Sequence, residues 1–288
     1  MRGLIRRAAV AAGAAVAVLG AAVGVAAASA GPPVLAGTGA PASHLYWSSA
    51  SQGTITEARL DGTGAHVIAS GQGEAAGVAM DASHLYWAAS HRANADAGTI
   101  TEANLDGTGA HVIASGQKSP EAVSVHAGHL YWSDFNAGTI MEARLDGTGA
   151  HVIVSGQDHP VGAAVDAGHL YWADWGAGTI VEANLDGTGA HAIVSGQDPP
   201  AGPAPDAAHL YWADWGAGTI VEANLDGTGA HVIASGQKSP EGIAVDARHL
   251  YWANNGAGMI VEANLDGTGA HVIASGQGRA VGVVVGPR

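Results

Sequence analysis

The sequence predicts an all-β fold in which six copies of one four-stranded antiparallel unit close into a ring, a six-bladed β-propeller. Three observations carry this expectation. His-Leu-Tyr-Trp begins at His44, His84, His129, His169, His209 and His249, in steps of 40 residues with one step of 45 between the second and third copies. A period near 40 with several short strand-like runs per unit is that of propellers and solenoids. Each copy reads as four strands, and the two ends of the chain complement each other.

The fourth copy shows the unit best: Val161–Val165, a turn at Asp166-Ala167-Gly168, His169–Ala173, a Gly-rich link, Thr179–Leu185 and His191–Val194. Val, Ile, Thr, Tyr and Trp favour strands. Asp186-Gly187 between two such runs marks a hairpin, lengthened by Thr188-Gly189. No stretch sustains a helical apolar stripe. Such a sheet is too small to stand alone and must bury its faces against its neighbours. The first copy starts at its second strand, because Ala40-Pro41-Ala42-Ser43 stands where the others carry an inner strand. The C-terminus supplies a spare strand over 280–286, whose Val281–Val285 is expected to pair beside His44–Ser48 and close the ring. An open solenoid would need polar capping units, and none is evident. Pro203 and Pro205 interrupt the fifth inner strand; lying two apart, both are expected to face the channel, where no ladder bond is lost.

Before residue 44 the chain is built differently. Arg2, Arg6 and Arg7 precede an Ala/Val run ending in Ala28-Ser29-Ala30, which reads as a secretory signal over 1–30, followed by a linker over 31–43 and one propeller domain over 44–288. The alternative, a retained membrane anchor, fits less well, since the run is mostly Ala and Gly. Cleavage leaves 8 basic residues against 25 acidic ones, a formal charge of −17. That disfavours nucleic acid and anionic lipid as partners. Without cysteine there is no disulfide framework, thiolate metal site or cysteine nucleophile.

Motifs for catalysis are absent: there is no Gly-x-Ser-x-Gly, no phosphate-binding Gly-Lys-Ser/Thr loop and no His-Glu-x-x-His. An enzyme site needs groups that differ from their symmetry mates. Those that do are few: His91, Arg92 and Asp96 in the inserted segment, His126 where other copies carry Asp, His159, Phe135, and Glu121 and Glu241 beside the channel. The two glutamates are the candidates for a channel metal, oxygen ligands suiting calcium. Among the fifteen histidines, the two repeated sets sit near turns on one face and are expected to form a surface ring. Equivalent positions in adjacent blades lie too far apart to share one ion. Protonating all fifteen would take the charge from −17 toward −2, a possible pH sensor.

The units resemble the YWTD repeats, the class B repeats of the low-density lipoprotein receptor family, in a secreted, bacterial-type form. The resemblance rests on Tyr131-Trp132-Ser133-Asp134, Tyr171-Trp172-Ala173-Asp174 and Tyr211-Trp212-Ala213-Asp214, on Ile180–Gly187 and its copies, and on Gly242–Asp246. It covers essentially residues 40–288 and implies a six-bladed propeller used as a binding and spacing module. The chain departs from the pattern where Ser49, Ala89 and Asn254 replace the Asp, so those three blades are expected to be looser. Receptor-type cysteine-rich modules are missing.

The resemblance implies that protein partners dock on the loop-rich face, which gathers Asp134 and Phe135, Asp174 and Trp175, Asp214 and Trp215, and Asn254 and Asn255. These are the candidate partner-binding residues; aromatic and acidic groups suit a peptide or glycan. The function read from the sequence is a secreted, extracellular, non-enzymatic module binding a protein or glycan at the cell envelope, as a monomer. One alternative is a propeller hydrolase or lyase of the lactonase type with a channel metal. Another is a structural repeat protein that self-associates by exchanging blades.

Overall fold

In the computed structural model, which describes residues 44–90 and 95–286, the strands fall into six four-stranded antiparallel sheets. The expected segments over 1–30 and 31–43 lie outside the described residues, as do His91 and Arg92. Blade 4 consists of Pro160–Val165, His169–Asp174, Thr179–Asn184 and His191–Ser195, paired in that order. The observed bounds match the expected ones to within a residue.

The blades share a single packing rule. Leu-Tyr-Trp in each second strand is a continuous buried run, because a strand alternates its side chains between two faces and a blade has neighbours on both. Tyr171, Ala173 and Ile180 of blade 4 pack against Leu210, Trp212 and Val221 of blade 5. Tyr211 and Ile220 of blade 5 meet Leu250 and Trp252 of blade 6 in the same way, and Tyr251 and Ile260 of blade 6 meet Leu45 and Trp47 of blade 1. Trp47, Trp87, Trp132, Trp172, Trp212 and Trp252 are wholly buried. Burying each such side chain contributes roughly 1.5–3 kcal/mol or more.

The ring closes as the sequence predicts. Ala280–Gly286 pairs antiparallel with His44–Ser49, setting Val285 opposite Leu45 and Val283 opposite Trp47. This strand also touches Glu74–Met80 of blade 2, so the inner strands contact one another all the way round. The backbones approach closely at Gly282, where an added Cβ would sit 2.7 Å from Val78 N and 2.8 Å from Gly77 Cα. Ser48 fixes the joint: its Oγ accepts from the Gly282 N–H at 2.8 Å and donates to the Ala76 carbonyl.

Inner strands are bulged near the axis, the register slipping between Val161 and Ala164 and between Ala201 and Ala204. Pro203 falls in that bulge, and Pro203 and Pro205 both line the channel. The described residues also include one 3-10 turn, Ala95–Ala97, at the insertion.

Each Trp indole reaches back to the link entering its own blade. Trp47, Trp87, Trp132, Trp172, Trp212 and Trp252 donate from Nε1 to the Oε1 atoms of Gln277, Gln72, Gln117, Gln157, Gln197 and Gln237 at 2.9–3.1 Å. This clasp does not depend on the Asp, which three blades lack. It is present in all six, Ser49 Oγ donates to the Gln277 carbonyl at 2.6 Å, and Asn254 Nδ2 donates to Gln237 Oε1 at 2.9 Å. The Asp itself brings a desolvation cost: one carboxylate oxygen of Asp134 and one of Asp174 are buried without a partner.

Candidate functional site

One face carries the links between second and third strands together with the links between blades. Phe135, Trp175, Trp215 and Asn255 occupy equivalent places there. Each is pinned through its backbone N–H, which donates to the carbonyl of Ser119, His159, Pro199 or Ser239 at 2.9–3.2 Å. Ser119, His159 and Ser239 hold φ of 56°, 62° and 50°, a left-handed conformation rare for residues with a side chain. The strain is stored at this face.

The pinned side chains meet in a row. Phe135 lies 4.6 Å from the His159 ring and 6.1 Å from Trp175, and Trp175 lies 6.5 Å from Trp215, the last two contacts edge to face. Trp175 and Trp215 remain 37% and 38% exposed. A row of rings across blades 3, 4 and 5 is a rigid, amphipathic platform. The other residues expected at this face behave differently. Asp134, Asp174, Asp214 and Asn254 are buried and support the loops from below; Asp214 Oδ1, for example, accepts from the Asp198 N–H at 2.7 Å. Burial raises the carboxyls of Asp174 and Asp214 and pushes Asp134 up to about 6. Phe135 and Asn255 are half-buried.

On the axis the inner strands of all six blades enclose a channel of about 220 Å³ lined by Val, Ala, Pro and Met, Val123, Val245 and Val283 among them. Glu121 and Glu241 stand one residue nearer the loop-rich face, in opposite blades. Both are half-buried and raised, Glu121 to about 8, first by desolvation and then by the charges of Glu241 and Glu74, with Arg279 acting the other way. Glu241 Oε2 accepts from Asn255 Nδ2 at 2.7 Å. Among the described residues no group of three or more His, Asp or Glu is arranged to hold a metal ion. Sequence reasoning missed Glu74 and Arg279, which occupy the place held in other blades by Ser119, His159, Pro199 and Ser239. Asp96 of the insertion pairs with Lys118 at 2.7 Å.

The two repeated sets of histidines lie on the opposite face, and the structure adds a residue the sequence did not single out. In each blade a third-strand glutamate stands between the two imidazoles: Glu182 lies 3.6 Å from His169 and 3.9 Å from His191, and Glu262 lies 3.6 Å from His249 and 3.5 Å from His271. The clue was available in the recurring Glu-Ala, but it needed the cross-strand register that sets Glu182 opposite both Tyr171 and His191. Where Asp166, Asp206 and Asp246 cap the turns, they also accept from Tyr171, Tyr211 and Tyr251 at 3.1–3.3 Å. His126 replaces that Asp in blade 3. There Tyr131 donates instead to Glu142 at 3.4 Å.

With this geometry in hand, the class is plain: the chain is a six-bladed β-propeller. Its structure matches a solved chain of the nidogen/laminin complex with a TM-score of 0.76 at 22% identity, covering 84% of this chain and 98% of that one. No protein-family model matches the chain, and no curated protein matches it in sequence.

Proposed function

We propose that this protein is an exported, non-enzymatic binding module whose loop-rich face receives a protein ligand at or beyond the cell envelope. The observation that carries the reading is the pinned row Phe135, Trp175 and Trp215. It leaves two tryptophans exposed on a fold that buries its other six. Exposed aromatics held rigid by backbone hydrogen bonds lose little entropy on binding and are typical anchors of interfaces. That the matching solved chain comes from a complex of two proteins is consistent with a protein ligand. The Arg-led Ala/Val segment ahead of residue 31 supports export.

The test is capture from cell-envelope extract by the chain and by Trp175→Ala/Trp215→Ala, with folding checked by circular dichroism. Capture lost in the folded variant is the expected result. Equal capture by both chains overturns the assignment of the face, and capture of glycan alone overturns the protein ligand.

A further inference from the structure

We propose that the axial channel is a binding site for a small neutral compound, an unbranched alkyl chain of about nine non-hydrogen atoms ending in one hydroxyl or carbonyl group. The site is independent of the loop-rich face, since none of Phe135, Trp175 and Trp215 lines it.

The walls set the chemistry. Each inner strand contributes four consecutive residues, 122–125 in blade 3 and 162–165 in blade 4 for example. Among the described residues the lining is Gly, Ala, Val, Ile, Pro and Met with the single exception of Ser124, and no charged side chain lines the channel. A carboxylate or ammonium placed there would lose its hydration without gaining a counter-charge. A neutral apolar compound gains from the same burial.

The volume sets the size. A dry apolar cavity of about 150 Å³ takes up the six carbons of benzene. Scaled to about 220 Å³, the occupant has about nine non-hydrogen atoms, fewer than the ligands of drug-sized pockets, which start near 300 Å³. Four strand residues span three steps of about 3.3 Å, so the space is some ~10 Å long and suits an extended chain better than a bulky ring. At the first lining residue of the strands the backbones touch. A Cβ added at Gly77 would sit 2.4 Å from Ala122 Cα, and one at Gly202 or Gly242 would sit 3.0 Å from the Cα of Gly242 or Gly282. This collar narrows the channel toward the loop-rich face, and the alkyl end points to it.

Ser124 anchors the polar end. Its counterparts in the other blades are Ala79, Ala164, Ala204, Ala244 and Val284, so the scaffold does not need a hydroxyl at this position. Ser124 is half-buried, and its Oγ is buried with no hydrogen-bond partner among the described residues. That arrangement costs free energy until a partner is supplied. A ligand hydroxyl or carbonyl in the channel supplies one, the serine turning about its Cα–Cβ bond to donate.

The experiment titrates the full chain by calorimetry with the straight-chain primary alcohols hexanol, octanol and decanol, and with octanoate and octylammonium. It is repeated with Ser124→Ala, with Trp175→Ala/Trp215→Ala, and with Ala164→Leu, which fills the channel at a half-buried lining position, each verified as folded. Octanol is expected to bind once per chain with a dissociation constant on the order of 0.1 mM. It should bind about fifteenfold tighter than hexanol, the gain of two buried methylenes, and decanol no tighter than octanol because its last carbons find no room. The two charged compounds are expected not to bind. Ser124→Ala is expected to weaken octanol about fivefold, Ala164→Leu to abolish binding, and the tryptophan pair to leave it unchanged. Affinity that keeps rising through decanol marks an open apolar surface and overturns the channel site, a result the parent chain gives whether or not Ala164→Leu folds. No alcohol binding, or binding undiminished in folded Ala164→Leu, overturns it as well. Octanoate or octylammonium bound as tightly as octanol overturns the neutral class, and unchanged affinity in Ser124→Ala overturns the anchored end. Loss of binding in the tryptophan pair moves the site to the loop-rich face and overturns the proposal.

Discussion

Removing residues 280–288 takes away the inner strand of blade 1 and leaves every other blade intact, which makes it the sharpest test of ring closure. The strand buries Ala280 completely and leaves Val281, Val283 and Val285 5%, 6% and 9% exposed. At about 1.5–3 kcal/mol for each valine the apolar loss alone comes to roughly 5–9 kcal/mol, an upper figure because the unfolded chain already buries some surface. The ladder to His44–Ser49 and the Ser48 joint are lost with it. A domain's whole stability is about 5–15 kcal/mol. The truncated chain is therefore expected to lose its cooperative thermal transition, followed by near-ultraviolet circular dichroism, and to associate through the uncovered edge of His44–Ser49 in sedimentation. A truncated monomer melting within a few degrees of the full chain refutes the closure argument, because the last strand would then be an appendage.

Smaller perturbations test the parts. Gln157→Ala removes the one hydrogen-bond partner that the buried Trp172 indole has among the described residues and is expected to cost about 1–3 kcal/mol in chemical denaturation; a change below a few tenths assigns the clasp no energetic role. Asp134, raised to about 6 mainly by burial, favours the fold in its protonated form, so its contribution is present near pH 4 and lost as pH rises through 6. Asp134→Asn is expected to match the parent near pH 4 and exceed it by about 2–3 kcal/mol at pH 7, and a gap independent of pH contradicts this. Glu182→Gln removes the carboxylate between His169 and His191, pairs that carry opposite charges only when the imidazoles are protonated. Its cost in chemical denaturation is expected at no more than about 1 kcal/mol; a cost of several kcal/mol contradicts the reading of these pairs as exposed, solvent-screened contacts.

What the sequence reveals and what it hides divide along one physical line. Strand positions, the four-strand unit and the closing strand were legible because they depend on local alternation and on a repeat that states the pattern six times. Trp172 and Trp175 lie three residues apart in the same motif, yet one is wholly buried and the other 37% exposed. Their difference follows from where the strand ends and the loop is pinned to His159, which no propensity registers. The grouping of Phe135, Trp175 and Trp215 on one face was readable from topology, whereas their meeting in a row and the sinking of Asp134, Asp174 and Asp214 beneath them required the hydrogen bonds of the links. Glu182 and its copies escaped notice for the opposite reason: a residue repeated in every blade looks architectural until cross-strand register shows what it touches. Glu74 and Arg279 were hidden by substitution, since their counterparts are Ser, His and Pro and no motif marks the place. Symmetry thus taught the scaffold, and residues that break it, Glu121, Glu241, Glu74 and Arg279, stand at the start of inner strands, near enough for the charges of the last three to act on the first. Inner strands contact their neighbours all the way round, so a few unlike residues at their ends interact across blades as they could not on the rim.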